Sequence, residues 1–230
     1  MLPEFARHER TVICWPSRGA LYGNFLAEAE RAHAALACTI SAFEPVRMIA
    51  NAEHVDRARQ MCGNTVEVVQ LPIDDSWFRD TGPIYVTDDS GTRVAGNWVF
   101  NCWGNKFSPY DRDADIAVVW AKHAGHQIRN IDMVLEGGSI NVDGTGFLVT
   151  TEQCLLNPNR NPQLTREEIT QRLCGEFGVN NVMWLPHGLS LDGDTDGHVD
   201  NVAAFVAPRT IVLHRCADES EADFARLAEN

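Results

Sequence analysis

Three short segments gather the side chains able to do chemistry. Asp192-Gly193-Asp194-Thr195-Asp196-Gly197-His198-Val199-Asp200-Asn201 sets one imidazole among four carboxylates. Its opening has the Asp-x-Asp-x-Asp-Gly look of a calcium loop, but Ala203 stands at the twelfth position, where a bidentate Glu is needed. The calcium reading therefore fails on its main ligand. If residues 197–205 are extended, as Val199, Val202 and Phe205 permit, His198 and Asp200 face the same side. A proton-transfer group would then stand beside a cation-binding group. The plain alternative is a solvated acidic loop.

Asp74-Asp75-Ser76-Trp77-Phe78-Arg79-Asp80-Thr81-Gly82-Pro83 packs three carboxylates, an Arg and a Trp into a turn-prone segment. It reads either as a surface turn with an Arg–Asp pair or as the wall of a pocket. In a pocket, a buried Asp needs a cation to offset its desolvation. Leu135-Glu136-Gly137-Gly138-Ser139 places one Glu before two glycines, just past an apolar run. Glycines there allow close backbone approach to a ligand, or a simple hairpin turn.

Other chemistry finds little support. The seven cysteines (Cys14, Cys38, Cys62, Cys102, Cys154, Cys174 and Cys216) are scattered with no C-x-x-C pair, which points to reduced thiols packed as small hydrophobes. His123 and His126 lie in His-Ala-Gly-His without a third ligand, so a helix C-terminus capped by Gly125 is expected instead of a metal site. Neither G-x-S-x-G nor a P-loop occurs.

The elements that must hold these segments alternate between strands and helices. Strands are expected at 12–15, 46–50, 66–71, 84–87, 93–101, 132–135, 139–142, 147–151, 181–185, 202–206 and 210–213. Helical spacing runs from Phe25 to Phe43, with Asn24 as N-cap and Pro45 as terminator. Further helices are expected at 52–61, 113–123 and from about 219. Thr165-Arg166-Glu167-Glu168 is a capping box that opens a helix to about Phe177. With no linker or low-complexity tract, residues 1–230 read as a single α/β domain without the Gly fingerprint of a nucleotide binder.

The 230 residues carry a formal charge of −13, with 44% hydrophobic residues. That composition is globular, and its acidity argues against nucleic acid or an anionic membrane as partner while mildly favouring a small cation. The first ten residues are charged and lack an apolar signal core, so a cytoplasmic location is expected.

Taken in order, these segments resemble the agmatine deiminase family of the guanidino-group-modifying superfamily. The resemblance also covers Cys14-Trp15-Pro16-Ser17-Arg18, Phe43-Glu44-Pro45-Val46, Asn101-Cys102-Trp103-Gly104-Asn105-Lys106, Pro109-Tyr110-Asp111 and the run from Thr151 to Pro162. It implies a pentein fold, a pseudo-fivefold α/β propeller of ββαβ-type blades. It also implies hydrolysis of agmatine to N-carbamoylputrescine and ammonia, with no cofactor or metal. By match to the family motifs, Asp80 and Asp200 would clamp the guanidinium and Glu136 would line the site. His198 would act as acid–base, and Trp77 would shape the substrate channel. The resemblance leaves a homo-oligomer open.

The family's nucleophilic Cys lies near its C-terminus, in a Gly-rich segment that these residues do not contain. None of the seven cysteines has a matching context, and Cys154 reads as a buried thiol. The expectation is an N-terminal portion of such an enzyme, with an incomplete propeller and no turnover by itself. The competing functions are a bacterial-type peptidylarginine deiminase and a non-catalytic guanidinium binder.

Overall fold

A computed structural model describes residues 1–88 and 90–230. In chain order its elements are β1 (Thr11–Cys14), α1 (Gly19–Tyr22), α2 (Leu26–Ile40), β2 (Val46–Ala50), α3 (Val55–Cys62), β3 (Glu67–Gln70) and α4 (Phe78–Thr81). Then follow β4 (Ile84–Thr87), β5 (Arg93–Val99), α5 (Cys102–Asn105), α6 (Asp111–Ala124), β6 (Gln127–Val134), β7 (Ile140–Val142), β8 (Phe147–Thr151) and α7 (Glu152–Leu155). The chain continues through α8 (Arg166–Phe177), β9 (Asn181–Leu185), β10 (Ala203–Ala207), β11 (Thr210–Leu213) and α9 (Asp223–Glu229). The residues group into two compact units. One comprises 7–83 and 109–125, the other 1–6, 84–108 and 126–230.

The first unit is built on a parallel sheet in the order β1-β2-β3. Its central strand reads Val-Arg-Met-Ile-Ala with Met48, Ile49 and Ala50 fully buried, the near-continuous apolar run expected of a parallel strand covered on both faces. Helices α2 and α3 contribute Ala34, Ala37, Val55, Ala58 and Cys62 to the core around Trp15 and Met48. Asn24 does not cap α2. A 3-10 turn at Gly23–Phe25 leads into the helix, and the Leu26 N–H donates to the Gly23 carbonyl, so no side-chain cap is used there.

The N-terminus of α6 is tied to residues 74–75 by reciprocal bonds. The N–H groups of Asp74 and Asp75 donate to Asp113 Oδ1 at 2.8 and 3.3 Å, while those of Arg112 and Asp113 donate to Asp74 Oδ2 at 2.9 and 3.3 Å. The helix ends at Gly125 in the left-handed conformation (φ 71°), as the His-Ala-Gly-His reading anticipates.

Among the described residues, the second unit holds three small sheets. β4-β5-β6 and β7-β8-β9 share one plan, an antiparallel hairpin whose second strand then pairs in parallel with the third. β10 and β11 form a further hairpin. The chain order ββαβ therefore recurs as β4-β5-α6-β6 and β7-β8-α8-β9, and β10-β11-α9 follows it as far as the helix. Strand β8 is buried on both faces. Leu148 enters a core with Ile140, Leu155, Ile169, Leu173 and Phe177, and Val149 enters another with Leu185, Val199, Phe205 and Leu227. The Thr165 capping box is present and α8 ends on left-handed Gly178. No helix among the described residues is long and apolar enough to cross a membrane.

Candidate active site

Glu136 is delivered by the end of β6. The Leu135 N–H still bonds the Val99 carbonyl, and the chain then curls through a 3-10 turn at Gly137–Ser139. Ser139 returns its N–H and its hydroxyl to the Glu136 carbonyl at 3.1 and 2.6 Å. Asn161 fixes the strand end by donating to the Val134 carbonyl and accepting its N–H, both at 2.9 Å. The Glu136 side chain is fully buried. A 3-10 turn thus replaces the expected start of a strand at Ser139, and the hairpin reading of the two glycines with it.

The Asp-rich segment is folded by its own first residue. Asp192 accepts from the N–H and hydroxyl of Thr195 at 2.9 and 2.5 Å and from the N–H groups of Gly197 and His198, both at 3.1 Å. The Asn201 amide adds a further bond at 3.2 Å. Burial works against the Asp192 charge, but these bonds outweigh it and lower the pKa. The same bonds curl Val199–Asn201 into a 3-10 turn, so the chain is not extended until Ala203. His198 and Asp200 consequently do not share a strand face. His198 is buried at 2% exposure, whereas Asp200 is exposed.

The loop is also anchored from outside. Thr151 caps α7 by accepting from the Cys154 N–H, and its hydroxyl donates to the Gly197 carbonyl at 2.5 Å. Gly197 has φ 90°, and a Cβ there would lie 2.7 Å from the Gln153 side chain, so only glycine fits. Lys106 reaches the Gly193 and Asp194 carbonyls and pairs with Asp196 at 2.6 Å.

Arg160 joins the loop to Glu136. Its side chain is fully buried; Nη1 bonds Asp196 Oδ2 and Nη2 bonds the Thr195 carbonyl, both at 2.9 Å. Nε lies 2.7 Å from Glu136 Oε1, a close ion pair rather than an aligned hydrogen bond. Burial disfavours the Arg160 charge, yet Glu136, Cys154 and Asp196 around it raise its pKa above the usual guanidinium value. On the far side, Glu136 Oε2 stands 3.7 Å from His198 Nε2. The Cys154 thiol completes the cluster, since its sulfur and the nearest Glu136 and His198 atoms all lie within 4.8 Å of one another. Burial pushes the Cys154 thiol up in pKa against the lowering effect of its bond to His198.

Of the residues expected from sequence, the second unit brings Glu136 and His198 together, with Asp200 two residues beyond His198 on the surface. Asp80 and Trp77 belong to the first unit. Asp80 lies half-buried in α4, where its N–H bonds the Trp77 carbonyl, and Trp77 is 44% exposed. In the same segment Asp75 pairs with Arg18 at 3.1 Å. The sequence offered Asp192 and Asp196 only as would-be calcium ligands, and Arg160 and Lys106 only inside longer motif runs. The local signal for Arg160 was the mixture of Asn and Arg in the 151–162 run, of which Thr151, Arg160 and Asn161 are buried. The Asp192 and Asp196 carboxylates are occupied by protein donors, so the acidic loop is neither a calcium loop nor a merely solvated one.

The model of the Porphyromonas-type peptidyl-arginine deiminase family matches residues 1–230. An agmatine deiminase of Stutzerimonas stutzeri is 42% identical over 98% of this chain and 63% of its own length. One of Pseudomonas aeruginosa is 40% identical over the same shares. The chain thus spans about 63% of the length of these curated relatives. Among solved structures, an agmatine deiminase of Enterococcus faecalis superposes with a TM-score of 0.95 at 32% identity, covering 100% of this chain and 64% of that one. A C. jejuni agmatine deiminase with substrate bound gives 0.92 at 29%, covering 99% and 68%. The chain therefore belongs to the Porphyromonas-type peptidyl-arginine deiminase family and has the pentein α/β fold of its agmatine deiminases.

Proposed function

We propose that this chain carries the guanidinium-handling part of an agmatine deiminase, an amidine hydrolase that converts agmatine and water to N-carbamoylputrescine and ammonia. The observation that supports it best is the buried Glu136–His198 pair at 3.7 Å, braced by Arg160. A guanidinium is planar, stays protonated and pairs bidentately with carboxylates. Asp80 and Asp200 are assigned to clamp it, Glu136 to line the site and Trp77 to shape the channel. The clamp fixes the plane of the guanidinium and keeps it protonated, so its central carbon stays electrophilic. A thiolate attacks that carbon, and His198 protonates the departing ammonia. His198 then deprotonates the water that cleaves the carbon–sulfur bond, releasing the urea product and restoring the thiolate.

The cysteine that stands with His198 is Cys154, which is wholly buried and held toward the neutral thiol. A nucleophile must reach substrate as the thiolate. Cys154 is wholly buried and lacks the sequence context of the family's nucleophile, so we assign the chain binding of the guanidinium without turnover.

Calorimetric titration of agmatine into the purified chain, with Asp80→Ala as control, is the test, alongside an assay of ammonia release. Binding that the variant loses, without ammonia, is the expected result. A folded chain that ignores agmatine would overturn the clamp, and steady ammonia production would overturn the assignment of Cys154. Replacing agmatine by an arginyl peptide separates this reading from a peptidylarginine deiminase, which the family model's name keeps in view.

A further inference from the structure

We propose that Glu136, Cys154 and His198 together form a binding site for a single thiophilic divalent cation, with Zn²⁺ the best match. One carboxylate oxygen, one sulfur and one imidazole nitrogen lie within 4.8 Å of each other, and all three residues are buried. Bond lengths of about 2.0–2.3 Å to a shared ion put ligand atoms under about 4 Å apart, so modest side-chain rotation suffices. A mixed oxygen, sulfur and nitrogen donor set suits zinc, whereas calcium and magnesium take oxygen ligands.

The three donors come from separate elements whose backbones are fixed independently. The 3-10 turn after β6 sets Glu136, the Thr151 cap on α7 sets Cys154, and the Asp192-bonded loop sets His198. Both Glu136 oxygens are buried without an aligned donor, and Oε2 points toward His198. Such a carboxylate is costly in a dry interior, and a directly bound cation would satisfy it. Arg160 faces Oε1, leaving Oε2 for the ion and acting as an outer partner that orients the ligand. Its positive charge opposes a second cation, but Asp196 pairs with it from the other side. On binding, a Zn–S bond replaces the Cys154 S–H and that proton passes to solvent, while neutral His198 gives its ring lone pair. With three protein ligands, the fourth position is left for water.

Cation binding needs only these residues and does not depend on the deiminase reading. Its consequence does: an ion holding the His198 lone pair stops its proton transfer, and so inhibits any turnover that uses it.

Titrating Zn²⁺ alone into the full chain, against a chelator of known strength, tests the site. One equivalent is expected, with affinity falling about tenfold or more in Cys154→Ser and in Glu136→Gln. Co²⁺ in its place should give a thiolate-to-metal absorption band that Cys154→Ser removes, and Mg²⁺ should not compete. A crystal of the unaltered chain soaked in Zn²⁺ should show its anomalous peak between Glu136, Cys154 and His198, which decides the matter even if a variant fails to fold. An anomalous map without that peak, or equal affinity in folded variants, overturns the proposal.

Discussion

Arg160 shows how one side chain can carry a site it was not expected to join. It is fully buried and touches Glu136 on one side and Asp196 on the other. A buried ion pair contributes little net stability compared with a matched apolar pair, but breaking it leaves an uncompensated charge in low dielectric. Arg160→Met should therefore cost about 3–5 kcal/mol, read as a lower midpoint in urea unfolding. Adding Glu136→Gln to that variant should recover part of the loss, because the stranded charge goes with it. A double variant as weak as the sum of the single losses would show that the two residues do not act as a pair. Asp192 works at the same scale by different means: five hydrogen bonds to one carboxylate decide that His198 turns inward.

At the level of elements, helix ends do most of the positioning. The capping box on α8 satisfies two orphan N–H groups with Thr165 and Glu168. Thr165→Ala should cost about 1 kcal/mol, and a shift in thermal midpoint measures it. The start of α6 is unusual because it meets a second acidic turn. Burial raises the Asp113 pKa to about 6, with Asp74 and Asp75 adding repulsion and their N–H bonds only partly offsetting it. A carboxyl whose folded pKa is raised contributes stability that is full below its unfolded value near about 4 and is lost as pH climbs through about 6. Asp113→Asn keeps an oxygen for the Asp74 and Asp75 N–H groups but cannot ionise. Relative to the parent, the variant should gain on the order of 2 kcal/mol between about pH 4 and pH 7. Thermal unfolding of both chains across that range checks the sign; a constant difference would mean Asp113 titrates normally.

On the scale of the molecule, each unit has its own buried core: one around Trp15 and Met48, the other around Leu148, Ile169 and Phe177. Truncating Ile169, which is fully buried, to Ala should cost about 2–5 kcal/mol, measured by urea unfolding. A loss under about 1 kcal/mol would mean that neighbours collapse into the space. The net charge of −13 is a property of the chain as a whole. It favours encounter with small cations over nucleic acid, which agrees with the guanidinium substrate we propose.

The sequence by itself determined what depends on near neighbours. The apolar runs 46–50, 147–151 and 181–185 became strands with those bounds, because their side-chain period and β-branched content act within a few residues. The Thr165 box and Gly125 marked helix ends because a cap is made within one turn. Asn24 looked equally good as a cap, yet a 3-10 turn displaced it, a competition between two local solutions that composition does not rank. The motif residues named Glu136 and His198. Only the tertiary structure decided how they are used. Glu136, Cys154, Arg160 and His198 meet across long stretches of chain, and their contact rests on bonds such as Asn161 to Val134 and Thr151 to Gly197. The expectation that His198 and Asp200 share a face failed for the same reason: in a loop, side-chain direction follows whichever carboxylate collects the backbone N–H groups, and here that is Asp192.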